Sequence, residues 1–274
     1  MNQKKPLKVI SASRRIELPG FFPDRLVSLL EKRCPPDSVH TLVIWSKNPS
    51  SLLNHKKLHA ELKKYHQIFL HFTITGMGNS FLEPNIPRTR EMLKLLPDLI
   101  SFLGDTRRIR VRFDPIVHLI MPDKTAYTNI NHFLEIAEAS RKAGISEMVI
   151  SWMDLYGKVE KRLKKYSIFP VQLGSGEWEK EAEWLVNEAK KRNINLHACC
   201  VNGLPVSRCI DGPVLNGLHP QNENASEKKA SGQRALCGCT ESRDIGWYNT
   251  CPGGCVYCYA NPVSASGLKG SYPE

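Results

Sequence analysis

Three cysteines near the end of the chain have a spacing that suits metal chemistry. Cys251, Cys255 and Cys258 are separated by three and then two residues, and Tyr257 precedes the last of them. A loop of this length can direct three thiolates at three corners of an iron–sulfur cube, which leaves one iron without a protein ligand. We therefore predict a 4Fe-4S cluster here, with structural zinc or free thiols as the alternatives.

The remaining late cysteines predict a second metal site. Eight of the nine cysteines lie between Cys199 and Cys258, a distribution that favours metal binding in a reducing compartment over a disulfide framework. Cys237 and Cys239, joined by Cys209 and by Cys199 or Cys200, could hold a second cluster or a zinc ion. Adjacent residues on a strand point to opposite faces, so we expect only one of Cys199 and Cys200 to take part.

The elements that must position these thiols follow an α/β pattern. Short β-branched or aromatic runs alternate six times with helical patterns, and one of the predicted helices runs from Ala126 to Ala143. Parallel strands need helical crossovers, and a full eight-unit barrel takes about 250 residues. We predict a six-unit (β/α) partial barrel, TIM-like, over residues 1–201, with an irregular, Cys-rich cap over its mouth from residue 202 to residue 274.

Strand parity predicts a polar interior for this barrel. Polar and apolar residues alternate along three of the predicted strands, and the apolar set should face the helices. The inward set then comprises His71, Thr73, Thr75, Arg110, Arg112, Asp114, Asn195, His197 and Cys199. Buried polar groups are costly unless they are paired or wet, so we expect this interior to line a cavity for a polar ligand.

Active-site residues of such barrels follow the carboxyl ends of the strands. The candidate catalytic residues at these positions are Arg14, Arg15, Lys47, Asp114 and Asp154. Arg14 and Arg15 could clamp a carboxylate or a phosphate, or simply form surface ion pairs. Asp114 could instead pair with Arg112, and Asp154 could bind the ribose hydroxyls of a cofactor.

Four further residues are candidates for cofactor binding. They are Asn48, Gly76, Gly78 and Tyr257. Asn48 has the alternative role of a helix cap before Pro49. The two glycines could allow a ligand to approach the backbone closely, or could serve an ordinary turn. Tyr257 would either pack the cysteine loop (residues 251–261) or shield a cluster from water.

Composition limits which binding partners and which cellular compartment we expect for this protein. The chain has 274 residues and a formal net charge of +11, but many of its cations occur as Lys/Arg pairs on predicted helix faces. Such pairs are typical of solvated helix surfaces, so the net charge alone does not establish a nucleic-acid partner, and that partner stays an open expectation. No apolar run has the length of a membrane span, and the first residues lack the apolar region of a signal peptide. We expect a cytoplasmic protein without a membrane partner.

The cysteine loop resembles the Cys-x3-Cys-x-aromatic-Cys signature of the radical S-adenosylmethionine (SAM) superfamily, with Tyr257 at the aromatic position. The whole chain resembles an uncharacterised bacterial family, described as radical-SAM-like, whose cysteine cluster lies at the carboxyl terminus. The segments that carry this resemblance are Ser11–Arg15, Trp45–Pro49, Phe72–Gly76, Arg112–Ile116, Asp154–Tyr156, Cys209–Asp211, Cys237–Cys239, Asp244–Gly246 and Cys251–Asn261.

The resemblance implies an enzyme whose cluster binds SAM and cleaves it to a radical, with the electron coming from an external donor of the flavodoxin or ferredoxin type. It leaves the substrate open, and repair or modification of nucleic acid is one interpretation. The alternative is a non-radical metal protein that carries a structural zinc ion or an electron-transfer iron–sulfur cluster.

Overall fold

The computed structural model describes residues 7–262, and a seven-stranded parallel sheet forms its centre. The strands within this range are β1 (Lys8–Ala12), β2 (Val39–Ser46), β3 (Ile68–Thr73), β4 (Ile109–Ile116), β5 (His118–Ile120), β6 (Ala126–Thr128), β7 (Glu147–Trp152), β8 (Phe169–Pro170), β9 (Asn195–Ala198) and β10 (Arg243–Ile245). The large sheet has the order β10-β1-β2-β3-β4-β7-β9, and every neighbouring pair in it runs parallel.

Helices connect these strands, and most of them cover one face of the sheet, whereas α10 packs against the other. They are α1 (Leu18–Phe21), α2 (Pro23–Arg33), α3 (Ser50–Asn54), α4 (Lys56–Leu62), α5 (Thr89–Leu93), α6 (Leu96–Leu103), α7 (Phe133–Lys142), α8 (Gly157–Lys165), α9 (Ser175–Lys191) and α10 (Gly212–Leu218). In α6, Leu96, Leu99 and Leu103 are buried at helical spacing, and the helix ends at Gly104 in the left-handed conformation. Within residues 7–262, no helix combines the length and the apolarity that crossing a membrane requires.

The prediction of an α/β fold with a parallel sheet is confirmed. The six strands expected from the sequence, now β1, β2, β3, β4, β7 and β9, lie side by side in chain order. The sheet is not a closed barrel in the described residues, because β9 and β10 occupy its two edges. β10 comes from the segment that we expected to lie only over the mouth, and it pairs with β1.

The predicted helix from Ala126 to Ala143 is wrong in its first part. Ala126–Thr128 is strand β6, which pairs antiparallel with β5, and helix α7 begins only at Phe133. The Asp123 carboxylate accepts hydrogen bonds from the backbone N–H and the hydroxyl of Thr125, which closes the turn between the two strands. Together with β8, this hairpin forms a small antiparallel sheet.

The irregular segment of residues 199–240 covers much of the other face of the large sheet. Its Ile210 and Leu215 pack with Val9, Val43 and Phe69, which alternate with the residues that face the helices. The polar residues of that face bind the backbone of the segment as well.

His71 and Arg110 carry these polar contacts. His71 Nε2 lies 2.5 Å from the Cys209 carbonyl oxygen, and Arg110 donates to the carbonyl of Arg208 at 3.0 Å. The predicted polar face therefore exists, but part of it holds the covering segment. Its carboxyl end lines one cavity, and Arg110, Asn195 and His197 line a second one towards the other end of the strands.

Candidate functional site

A cavity of about 430 Å³ lies at the carboxyl ends of the parallel strands. Since these ends share one edge of the sheet, the loops that follow them converge there. All five candidate catalytic residues and all three cysteines of the loop line this cavity: Arg14, Arg15, Lys47, Asp114, Asp154, Cys251, Cys255 and Cys258. Tyr257, a cofactor-binding candidate, also lines it. The candidates that the sequence analysis placed after the strands therefore lie together in one cavity.

Hydrogen bonds to neighbouring elements hold the cysteine loop in place. From α8, Arg162 donates to the carbonyl oxygens of Val256 and Cys258 at 2.9 and 2.7 Å. The Asn85 amide donates to the Pro252 carbonyl at 2.7 Å. These contacts fix the backbone on both sides of Cys255, so its thiol has a defined position in the cavity wall.

Burial keeps the three thiols of the loop in their neutral form. It raises the pKa of Cys251 to about 11, and it raises the pKa values of Cys255 and Cys258 as well. The nearby Lys47 ammonium opposes this shift at both Cys255 and Cys258, and the Ala260 N–H donates to Cys258 Sγ at 3.3 Å. Ionising all three thiols therefore needs a further cation in the cavity.

A buried ion pair joins the cysteine loop to the loops after β2 and β3. Lys47 Nζ lies 2.7 Å from Glu83 Oε1 and 3.1 Å from the Tyr257 hydroxyl. The Tyr257 hydroxyl also donates to Glu83, and Thr75 donates to its other carboxylate oxygen at 2.8 Å. Sequence reasoning missed Glu83, because a carboxylate between Leu82 and Pro84 in a turn-rich segment reads as a surface residue.

Two of the candidate acids have cationic partners at the cavity. Asp114 accepts hydrogen bonds from Arg112 and from the Ser151 hydroxyl, so the expected pairing with Arg112 is present. Asp154 pairs with Arg234. Both carboxylates are thus tied to other parts of the cavity wall.

The two arginines after β1 differ in their partners. The Arg15 guanidinium lies 3.0 Å from Asp244 and 4.9 Å from the Tyr248 ring centre. The Arg14 guanidinium stacks 5.2 Å above the Trp45 ring, and within residues 7–262 it has no carboxylate at ion-pair distance. Arg14 is therefore the arginine of this pair that remains available to an anionic ligand.

Three cofactor-binding candidates lie outside the cavity lining. The Asn48 side chain accepts from the Ser50 hydroxyl at 2.7 Å, at the start of α3. A Cβ atom on Gly78 would lie 1.9 Å from the Pro87 carbonyl oxygen, and one on Gly76 would lie 2.4 Å from the His132 ring. The close approach that these glycines allow is thus to the protein itself, and all three residues shape loops around the site.

The second group of cysteines assembles where β9 meets the covering segment. The Sγ atoms of Cys199 and Cys209 lie 3.9 Å apart, the Ile210 N–H donates to Cys239 Sγ at 3.5 Å, and Cys200 packs against the same cluster. Cys200 adopts a left-handed backbone conformation, with φ of +57°, which breaks the strand alternation. Both Cys199 and Cys200 therefore pack against the cluster, so the strand alternation that excluded one of them from a metal site does not apply here. Cys237 is buried in the same cluster.

Charge is unevenly distributed within this second group. The neighbouring thiols of Cys199 and Cys239, followed by the charge of Arg112, lower the pKa of Cys209. The same contacts with Cys209 raise the pKa values of Cys199 and Cys239. Within residues 7–262, no three His, Cys, Asp or Glu side chains form a group that could hold a metal ion as they stand. Thiols of both groups would have to reorient to ligate one.

Comparison with known proteins identifies a family for this chain but does not indicate an activity. A search of curated proteins found no match to the chain. A family model described as a domain of unknown function, DUF1848, matches residues 27–260. The match begins within helix α2, ends within the cysteine loop and includes both groups of cysteines. This protein therefore belongs to the DUF1848 family, whose function is unknown.

Proposed function

We propose that this protein is a radical-SAM-type enzyme that holds a 4Fe-4S cluster at Cys251, Cys255 and Cys258. The observation that carries the proposal is that these three thiols line one cavity with the polar residues at the strand ends. Loops at this end of parallel β/α folds hold the active sites of barrel enzymes. The sequential order of the six strands from β1 to β9 is also the order that a partial β/α barrel requires.

The donor set suits a cluster better than a single ion. The three thiols surround part of a cavity without meeting at a common point, and a cube needs each thiolate to bind a different iron. Three cysteine ligands also leave one iron free. When bound, such a cluster supplies one-electron cleavage of SAM, with the electron drawn from a flavodoxin- or ferredoxin-type donor.

The residues around the loop would bind, orient and shield. The cavity, at about 430 Å³, falls in the usual range for small-molecule sites. Lys47 and Tyr257, fixed by Glu83, close the wall behind Cys255 and keep water from it. Arg14 would bind a carboxylate or phosphate group, with Trp45 holding its guanidinium plane. These roles position a ligand between the thiols and the strand ends.

The rim of the cavity supports nucleic acid as the substrate class. Tyr156, Tyr248 and Tyr259 line the cavity and are each about 40% exposed, at 42, 40 and 41%. Arg14 and Arg234 lie among them. Aromatic rings that stack on bases, interleaved with cations that contact phosphates, are typical of single-strand binding surfaces.

Electron paramagnetic resonance tests the proposed cluster. Anaerobically reconstituted protein would be reduced with dithionite and measured with and without SAM, beside Cys255→Ala. A reduced-cluster signal that SAM perturbs, and that the variant lacks, would support the proposal. A signal indifferent to SAM would favour an electron-transfer cluster, whereas colourless protein without iron would favour structural zinc. Either of these results would overturn the radical-SAM assignment.

A further inference from the structure

A second cavity lies at the amino ends of the strands, away from the cysteine loop. Its volume is about 950 Å³, which falls within the usual range for small-molecule sites. The starts of β4, β7 and β9, the last turns of α9 and helix α10 line this cavity. None of its lining residues lines the cavity at the carboxyl ends. It is therefore a separate candidate site.

Two cations of the second cavity have no carboxylate partner. Arg110 is only 6% exposed, and within residues 7–262 no carboxylate lies at ion-pair distance from its guanidinium. Its Nη1 donates to the Arg208 carbonyl oxygen at 3.0 Å, whereas its buried Nε has no partner. Lys190 in the last turn of α9 is exposed and, in the described part of the chain, forms no ion pair. A buried guanidinium without a counter-charge is costly, so a bound anion would offset that cost.

The other charged side chains of this lining already have partners. The two oxygens of Glu147 lie 2.7 Å from the Asn195 amide nitrogen and 2.7 Å from His197 Nε2. Asp211 accepts from the backbone N–H of Val214 and caps α10. Arg107 pairs with Asp105 at 2.7 Å. Arg110 and Lys190 are thus the charged groups of the lining that an incoming ligand would find without an ionic or capping partner.

The rest of the lining suits the carbon skeleton of an organic ligand. Apolar side chains contribute much of it, among them Val186, Ile194 and Leu218. Because the Glu147 carboxylate can only accept, Nε2 of the neutral His197 ring carries the hydrogen, and Nδ1 is an acceptor with no partner within residues 7–262. An apolar wall with a few polar groups is typical of small-molecule sites rather than of sites for inorganic ions.

We propose that the second cavity binds a small organic anion, whose carboxylate or phosphate group contacts Arg110 and Lys190 and whose apolar part lies against Val186 and Ile194. The Arg110 guanidinium is already held in place, since it lies 5.7 Å from the Phe69 ring centre and is bonded to the covering segment. A cation fixed in advance loses little freedom on binding. The proposal is independent of the cluster at the cysteine loop.

Calorimetric titration of the full chain tests this site with probes that share one ring. Phenyl phosphate and benzoate carry the two possible anionic groups, and benzyl alcohol is the uncharged analogue. All titrations would use the Arg14→Gln protein, so that the first cavity does not compete for the anion. We expect at least one of the two anions to bind once per chain, more tightly than benzyl alcohol, and the tighter anion identifies the preferred group. Failure of both anions to bind, or equal binding of the alcohol, would overturn the proposal.

Substitutions in the same background assign the binding to this cavity. Arg110→Gln should weaken the affinity about tenfold or more, because a buried charged hydrogen bond is lost. Lys190→Gln should weaken it about two- to fivefold, as expected for an exposed ion pair. Lys180→Gln is the matched control, since this exposed lysine lies on α9 but does not line the cavity.

The exposed position of Lys190 keeps the test decisive if Arg110→Gln does not fold. In that case the comparison of Lys190→Gln with Lys180→Gln alone decides. An affinity that the Lys190 and Arg110 variants leave unchanged would overturn the proposal. A loss in Lys180→Gln as large as that in Lys190→Gln would also overturn it, because the anion would then respond to the overall charge of α9.

Discussion

The ammonium nitrogen of Lys47 lies 2.7 Å from Oε1 of Glu83, where the two side chains are 18 and 1% exposed. The Glu83 carboxylate is therefore almost fully removed from water and depends on Lys47, Tyr257 and Thr75 for its partners. Burying two charges is costly, and pairing offsets that cost only while both partners remain. The contact makes the wall behind Cys255 sensitive to the loss of either residue.

Removing the cation alone should destabilise the protein strongly. Lys47→Met leaves the Glu83 carboxylate buried without its counter-charge, and we expect the free energy of unfolding to fall by about 3–5 kcal/mol. Urea denaturation measures this change. The double variant Lys47→Met/Glu83→Gln removes the stranded charge, so it should recover much of the loss. A double variant less stable than Lys47→Met would contradict this account of the pair.

Gly78 should tolerate no side chain, although it does not line the cavity. A Cβ atom there would meet the Pro87 carbonyl oxygen at 1.9 Å, which is backbone and cannot move aside cheaply. We expect Gly78→Ala to lower the free energy of unfolding by about 1–3 kcal/mol or more.

Thermal denaturation checks the Gly78 prediction against a matched glycine. Gly176 lies in the first turn of α9 and has open space around its Cβ position. Gly176→Ala should therefore leave stability unchanged or raise it by up to about 1 kcal/mol. Equal melting temperatures for the two variants would show that the loop around Gly78 adapts.

Stacked histidines should make the covering segment sensitive to mild acid. The rings of His40 and His219 lie 4.3 Å apart, and His40 Nε2 lies 2.8 Å from the Glu223 carbonyl oxygen. Burial lowers the pKa values of both histidines below the ordinary 6.5. Between these lowered pKa values and 6.5, the unfolded chain binds more protons than the folded one. The contribution of the two neutral histidines to the free energy of unfolding is therefore complete above pH 6.5 and is lost as the pH falls through their folded-state pKa values.

Denaturation from pH 8 to pH 5 tests the histidine pair. The wild-type free energy of unfolding should decrease below pH 6.5, and His219→Gln should show a shallower decrease because one titrating ring is gone. His55→Gln is the control, since this half-buried histidine pairs with Asp24 on the helical side. A slope that His219→Gln leaves unchanged would assign the acid sensitivity to other groups.

Arg14 should contribute one phosphate contact if the substrate is a nucleic acid. Arg14→Gln should weaken binding of a single-stranded oligonucleotide and reduce the slope of log K against log salt by about one. Arg33→Gln is the control, because this exposed arginine ends α2, at the opposite end of the sheet. Fluorescence anisotropy over a salt series gives both quantities. No binding at low salt would remove nucleic acid as the substrate class.

The sequence predicted the parallel sheet and the strand ends because both depend on local patterns. Alternation along β3 and β4 and the helical crossovers between strands are visible within short windows. The cavity residues Arg14, Lys47 and Asp154 followed from that pattern alone. The place of β10 beside β1 could not be predicted, since three residues in an irregular segment carry no periodic signal.

Other features of the site depend on tertiary contacts. Glu83 becomes a buried partner only when the cysteine loop brings Tyr257 to it. Cys200 packs against the second group of cysteines through a left-handed backbone conformation that L-residues adopt uncommonly. The hairpin of β5 and β6 was hidden because a short strand beside a true helix extends the apparent helical pattern.

The pairing of β1 with β10 has a consequence for the order of assembly. These are the first and the last strands that the structure describes, and Ile10 aligns with Arg243 across them. Closing so long a stretch of chain is entropically expensive and belongs to the slow steps of folding. The cysteine loop follows β10 closely in the sequence, so we expect its thiols to gain their protected positions only after nearly all of the described chain is in place. The rate at which Cys255 becomes protected from a thiol reagent during refolding would therefore report when folding is complete.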